Sequence, residues 1–219
     1  LMVLSAQRMV HGLRLAMQAT GATQGVIASK RKYKNAIAKL SEFIEKSHAI
    51  EFYLYENFYP AGDEYVIVYD VTGRLIPPGG IPLQVGCAVN NVETLINISH
   101  AMDGDPVTHT ALTVAGAVHN RISVVVPIGI SAREVLALAG GATVEEPALI
   151  DGGAMMGKLV TDLSDPITKV SGGFIVLPKE HKLIKRRSLG EKVNVQIAQS
   201  ACDQCRFCTE LCPRYLLGY

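Results

Sequence analysis

Two hydrophobic rhythms divide the chain. Between Leu1 and Ala19 the apolar residues Val3, Leu4, Met9, Val10, Leu13, Leu15 and Met17 recur at helical spacing, and Gly21 supplies a stop. A short apolar run from Gly25 to Ala28 reads as a buried strand. Lys30 to Lys46 then carries Ile37, Leu40, Phe43 and Ile44 along one side of a basic helix. Ile50 to Tyr55 alternates and is rich in residues that suit a pleated surface, which predicts a second strand. Helix, strand, helix, strand at this pitch predicts a layered α/β domain with a parallel sheet. Two further helices are expected over Glu64 to Thr72 and Val92 to Met102, separated by a stiff connector at Pro77-Pro78-Gly79-Gly80 and Pro82.

From about Asp105 the rhythm shortens. Ala111 to Val118 and Arg121 to Pro127 are β-rich runs joined by a turn at His119-Asn120, the pattern of a hairpin. Ser131 caps a short helix, Glu134 three residues later completes a capping box, and Gly140-Gly141 end it. Strands are expected again over Ala148 to Asp151, Leu159 to Leu163 and Gly173 to Leu177, so hairpin, helix and further strands predict a small β-grasp-like domain. Met155-Met156, set between glycines, reads as a gap-filling pair, with a binding surface as the alternative. The basic stretch Lys179, Lys182, Lys185, Arg186 and Arg187 is either a solvated face or linker, or a dock for an acidic partner. Val193 to Ser200 then leads as a helix into the cysteines.

Two loops carry candidate binding chemistry. Tyr59-Pro60-Ala61-Gly62-Asp63-Glu64 follows the second strand, and in open α/β sheets ligands sit outside the carboxyl ends of strands. Asp63 and Glu64 read either as charges favoured at the start of the next helix or as ligand contacts. At Asn90-Asn91-Val92-Glu93-Thr94 an asparagine cap opens a helix whose N-terminal amides could receive a phosphate or a ring carbonyl; the plainer reading is a cap alone.

Cys202, Cys205, Cys208 and Cys212 follow the spacing C-x2-C-x2-C-x3-C and run straight into Pro213. This is the bacterial ferredoxin run that wraps a [4Fe-4S] cube in thiolates, the fourth cysteine serving the other cluster of a two-cluster module. Structural zinc takes paired ligands from two separated loops, and a disulfide framework belongs to small cysteine-dense secreted chains, so neither rival fits. Cys87, alone among Val85, Gly86, Ala88 and Val89, reads as a buried structural thiol, with a reactive thiol as the alternative.

Composition narrows the classes. With 219 residues, 48% of them hydrophobic and 19% charged, the chain buries a real core. A formal net charge of +1 argues against a dedicated nucleic-acid binder. No run reaches the roughly 20 apolar residues of a membrane span, and no secretory signal opens the chain. Reduced cysteines then point to the cytoplasm, or to a membrane surface reached through a partner. The histidines show no i, i+4 pairing, and the motifs of hydrolases, phosphate-binding loops and dinucleotide folds are missing, so no catalytic side chain is singled out.

Taken in order, the Tyr59–Glu64 loop, the Asn90–Thr94 helix start, the β-grasp segment with Gly152-Gly153-Ala154-Met155-Met156-Gly157, and the cysteine run resemble a family of NADH-, FMN- and iron-sulfur-dependent flavoproteins. That family contains the 51 kDa subunit of respiratory complex I, the C subunit of the Rnf electron-transport complex and the cobalamin reductases of propanediol-utilising microcompartments; the cysteine run is most similar to the last. The resemblance implies three parts: residues 1–104 as the later part of a Rossmann-like FMN and NADH domain, 105–190 as a β-grasp (soluble-ligand-binding) domain, and 191–219 as the opening of a ferredoxin-like 4Fe-4S segment. It places Tyr59, Gly62, Asp63 and Glu64 beside the isoalloxazine and nicotinamide, and Asn90, Asn91 and Thr94 against the FMN ribityl and phosphate. Cys202, Cys205, Cys208 and Cys212 become cluster ligands. Electrons would pass from NADH through FMN and the cluster to cobalamin or a partner redox protein, in a microcompartment or at the periphery of the inner membrane. An Rnf-type subunit, or a β-grasp docking module without activity of its own, is the alternative. The family's glycine-rich and acidic flavin loops lie upstream of the matched region and a second cysteine run downstream of it, so a fragment that binds FMN weakly or not at all is expected.

Overall fold

The computed structural model describes residues 1–44 and 49–218. Helix α1 (Ala6–Thr20) ends where Gly21 turns left-handed, φ 70°, and returns its N–H to the Met17 carbonyl. Strand β1 (Gly25–Lys30) pairs in parallel with β2 (Ile50–Tyr55), Gly25 opposite Ile50 and Lys30 opposite Tyr55. Because Ser29 and Lys30 complete β1, the helix expected from Lys30 is confined to α2 (Lys34–Ser41); residues 45 and 46, its expected end, lie outside the described residues. Helices α3 (Glu64–Thr72) and α4 (Val92–Met102) match their expected bounds, and a 3-10 turn at Pro82–Val85 lies between them.

The first core forms as α1 closes on α4. Met9, Val10, Ile27, Leu40, Ile50, Leu95 and Ile96 enclose one another. At Gly12 a Cβ would lie 1.8 Å from the Leu95 carbonyl oxygen, so glycine is what lets the two helix backbones approach. The polar side of the same seam is satisfied locally: Arg8 pairs with Asp103, and His11 Nδ1 lies 2.9 Å from the buried Ser99 hydroxyl.

The second core belongs to a five-stranded sheet. Strands β3 (His109–Gly116), β4 (Ile122–Pro127), β5 (Pro147–Asp151), β6 (Lys158–Val160) and β7 (Gly173–Pro178) take the order β4-β3-β7-β5-β6. Only β3 and β7 run parallel; the other neighbours are antiparallel, which is the β-grasp arrangement. Helix α5 (Ala132–Leu138) opens with the expected capping box, Ser131 accepting from the Glu134 amide. It lays Ala132, Val135 and Leu136 onto Leu112, Val114, Val126, Leu149, Phe174 and Val176. Each large side chain buried there stabilises the fold by about 1.5–3 kcal/mol. Strand β6 stops at Val160, short of the expected Leu163, because Asp162 turns the chain by accepting the Ser164 amide at 2.8 Å.

Helix α6 (Lys182–Ser188) buries Ile184, so the basic stretch is partly a packed helix rather than a solvated linker. Its Arg187 donates to the carbonyls of Gly157, Ala154 and Met155. The glycine-flanked loop is thus tethered through its backbone, and Met155 and Met156 fill no gap: they are 67% and 80% exposed. Helix α7 (Glu191–Ala201) precedes the cysteines, and two short helices follow, α8 (Phe207–Glu210) and α9 (Pro213–Leu216). The chain divides into two compact units, Leu1–Pro106 with Gln204–Tyr219, and Val107–Asp203. Among the described residues no helix is long and apolar enough to cross a membrane.

Candidate functional site

The loop after β2 ends in a cap. Asp63 is extended and takes the first amides of α3 on one oxygen, Oδ1 accepting from Tyr65 N at 2.9 Å and from Val66 N at 3.4 Å. Its other oxygen accepts from Arg214 Nη2 at 2.9 Å. The same guanidinium lies over the Tyr65 ring, Cζ 3.4 Å from the centroid, and Tyr65 Oη donates to the Gly80 carbonyl at 2.6 Å. Asp63 is therefore committed to holding the loop, whereas Tyr59, Gly62 and Glu64 stand exposed on it. Arg214 Nη1 is buried and has no hydrogen-bond partner among the described residues.

At the second loop Asn91 is the cap, its Oδ1 accepting from Glu93 N at 2.9 Å, as the asparagine pair predicted. Asn90 and Thr94 are exposed beside the helix start. Cys87, expected to be buried, is only half-buried: Gly86 closes the 3-10 turn and leaves the thiol at its edge, Sγ 3.8 Å from the Val85 carbonyl.

All four cysteines of the run are free thiols, Cys202, Cys205 and Cys208 exposed and Cys212 half-buried. Cys212 stands ahead of α9, and the amides of Tyr215 and Arg214, with the Arg214 charge, hold its thiol below the ordinary value. Gln204 and Arg206 on either side of Cys205 adopt left-handed backbone, φ 55° and 67°, a strained conformation for side chains of their size. Among the described residues no three His, Cys, Asp or Glu side chains are gathered as a site ready for a metal ion. The residue that sequence reasoning missed is Arg214: a basic residue after Cys-Pro gives no local signal of a partner 151 positions earlier.

With this geometry in place, comparison with known proteins supplies the family resemblance. Residues 1–100 match the Nuo51 FMN-binding domain. Over the whole chain the protein is 49% identical to the cobalamin reductase PduS of Citrobacter freundii and 50% identical to that of Salmonella typhimurium. The similarity to this flavoprotein family thus runs along the whole chain. It is 32% identical, over 99% of its length, to the C subunit of the Na(+)-translocating ferredoxin:NAD(+) oxidoreductase complex of Acetobacterium woodii. The chain spans about half the length of these relatives, 48% of each reductase and 46% of the Acetobacterium protein. Two crystal structures of NAD+-reducing [NiFe]-hydrogenase share the fold. The air-oxidized state gives a TM-score of 0.67 at 21% identity over 83% of this chain and 37% of that one; the H2-reduced state gives 0.65 at 20% identity over 80% and 37%. The resemblance drawn from the motifs is borne out, as is the α/β flavin-domain fold.

Proposed function

We propose that the intact protein is an NADH-dependent electron-transfer flavoprotein that delivers electrons to cobalamin. The observation that carries this reading is the identity of 49% and 50%, sustained along the entire chain, to two cobalamin reductases. Residues 1–104 are then the later part of the flavin and NADH domain, 105–190 the β-grasp domain, and 191–219 the start of the iron-sulfur segment. Tyr59, Gly62 and Glu64, exposed on the loop that Asp63 pins, would line the nicotinamide and isoalloxazine side. The buried, unpartnered Nη1 of Arg214 beside that loop suits a cofactor rich in acceptor oxygens. Asn90, Asn91 and Thr94 would hold the ribityl and phosphate at the start of α4, where amide dipoles favour an anion. Bound FMN would supply the conversion between one two-electron hydride and single electrons.

Cys202, Cys205 and Cys208 would supply three thiolates to one [4Fe-4S] cluster, and Cys212 its thiolate to the other cluster of the module. The donor chemistry fits: the spacing is that of a ferredoxin run, and the Cys212 thiol is held below its ordinary value. The protein would work in a microcompartment or against the inner membrane through partners.

NADH-dependent reduction of cob(III)alamin by the intact protein, followed anaerobically by absorbance, tests the reading; turnover with cobalamin supports it. The identity to the Acetobacterium woodii protein favours a second reading, a subunit exchanging electrons with ferredoxin. Turnover with ferredoxin and none with cobalamin would select that one.

A further inference from the structure

The contact between Asp63 and Arg214 joins two parts of the chain that the proposed function uses separately. Arg214 faces both ways. Its backbone stands two residues after Cys212 in α9, while its side chain reaches the Asp63 carboxylate at 2.9 Å and lies 3.4 Å from the Tyr65 ring centroid. Asp63 in turn fixes the first amides of α3, and Tyr65 fixes the Pro77–Gly80 connector through the Gly80 carbonyl. Few other anchors hold α9: none of its residues is buried, and Tyr215 and Leu216 are 46% and 70% exposed.

We propose that Arg214 is a positioning residue that locks the cysteine segment to the loop ahead of α3, so that the order of each depends on the other. A guanidinium suits the task. Its plane stacks on an aromatic face while its fork meets a carboxylate, which a lysine ammonium cannot do at once. The consequence rests on the flavoprotein reading: in the intact enzyme the flavin-side loop and the last cysteine of the run would hold a fixed relation, and a change at one would be felt at the other. The contact itself stands independently of any cofactor.

The test is hydrogen–deuterium exchange, read by mass spectrometry on the intact protein, for Arg214→Met, Arg214→Lys, Asp63→Asn and the double variant Arg214→Met/Asp63→Asn. Asparagine is as good a helix cap as aspartate, so Asp63→Asn removes the ion pair and keeps the start of α3. The lock predicts that Asp63→Asn speeds exchange in residues 207–217 by about fivefold, and that Arg214→Met does the same at residues 63–68. The double variant exchanges no faster than either single one, and Arg214→Lys falls between wild type and Arg214→Met. The proposal is overturned if each substitution loosens only its own segment, if the double variant shows the product of two independent effects, or if lysine exchanges as fast as methionine. Absence of cobalamin turnover would leave these outcomes unchanged, so failure of the functional reading and failure of the lock are separable.

Discussion

In the β-grasp sheet Val114, Val135 and Val176 are completely enclosed, whereas α7, α8 and α9 bury no residue, and Phe207, Leu211 and Leu216 are 63%, 72% and 70% exposed. The two regions lie in one chain and are specified by different physics. The sheet is built by apolar periodicity: alternate residues of β3 and β7 face α5, and removing them from water holds the strands in register. The cysteine segment has no such core. What marks it is the spacing of four cysteines and one cation anchored on Asp63. On the iron-sulfur proposal such a segment would gain order from ligation, because binding energy at a metal centre is folding energy.

Substitutions should separate the two regions most sharply where burial differs most. Phe174→Ala, in the enclosed core, is expected to cost about 3–5 kcal/mol in chemical denaturation, while Leu211→Ala, in the cysteine segment, stays within about 0.5 kcal/mol. Equal losses would mean that the cysteine segment has a core of its own.

A middle-sized effect is expected at the α5 cap, where Ser131→Ala should cost about 1 kcal/mol. The same cap carries a pH dependence. The Ser131 hydroxyl, and then its amide, hold the Glu134 carboxyl below the usual value. A carboxylate depressed by folding contributes stability that is fully present above its unfolded value of about 4.3 and is lost as pH falls through the lower folded value. Glu134→Gln removes that titration, so its melting temperature should lie below wild type at pH 6 and converge on it toward pH 3. A gap that stays constant with pH would show that the hydrogen bonds are not formed in solution.

The smallest effect is local to the other region. Amides at the start of α9 stabilise the Cys212 thiolate, so its alkylation by iodoacetamide should reach half its maximal rate below pH 8.5, the ordinary thiol value. An inflection at or above that value would show that these amides do not favour the thiolate.

Much of the fold was legible because its determinants are local. Gly21, Asn91, and Ser131 with Glu134 are start and stop signals that act within three or four residues, and each does in space what its pattern implies. Strand β2 and helices α3 and α4 were bounded to the residue for the same reason. The misplaced features depend on partners distant in sequence. The expected start of α2 at Lys30 failed because Lys30 pairs with Tyr55, and Met155-Met156 read as filler because periodicity cannot register that Arg187, more than thirty residues on, holds their loop by its carbonyls. At the candidate site the cap residue Asp63 was visible, but its ion pair with Arg214 was not, since one basic side chain near the end of a chain carries no mark of its partner.

The most direct test of the account is iron and acid-labile sulfide content, with an EPR spectrum, on anaerobically reconstituted protein against a Cys205→Ala control. The account predicts iron and sulfide in equal amounts and a cubane signal that is lost in the control. Zinc in place of iron, or no bound metal in either protein, would contradict it and leave the cysteine run a structural element.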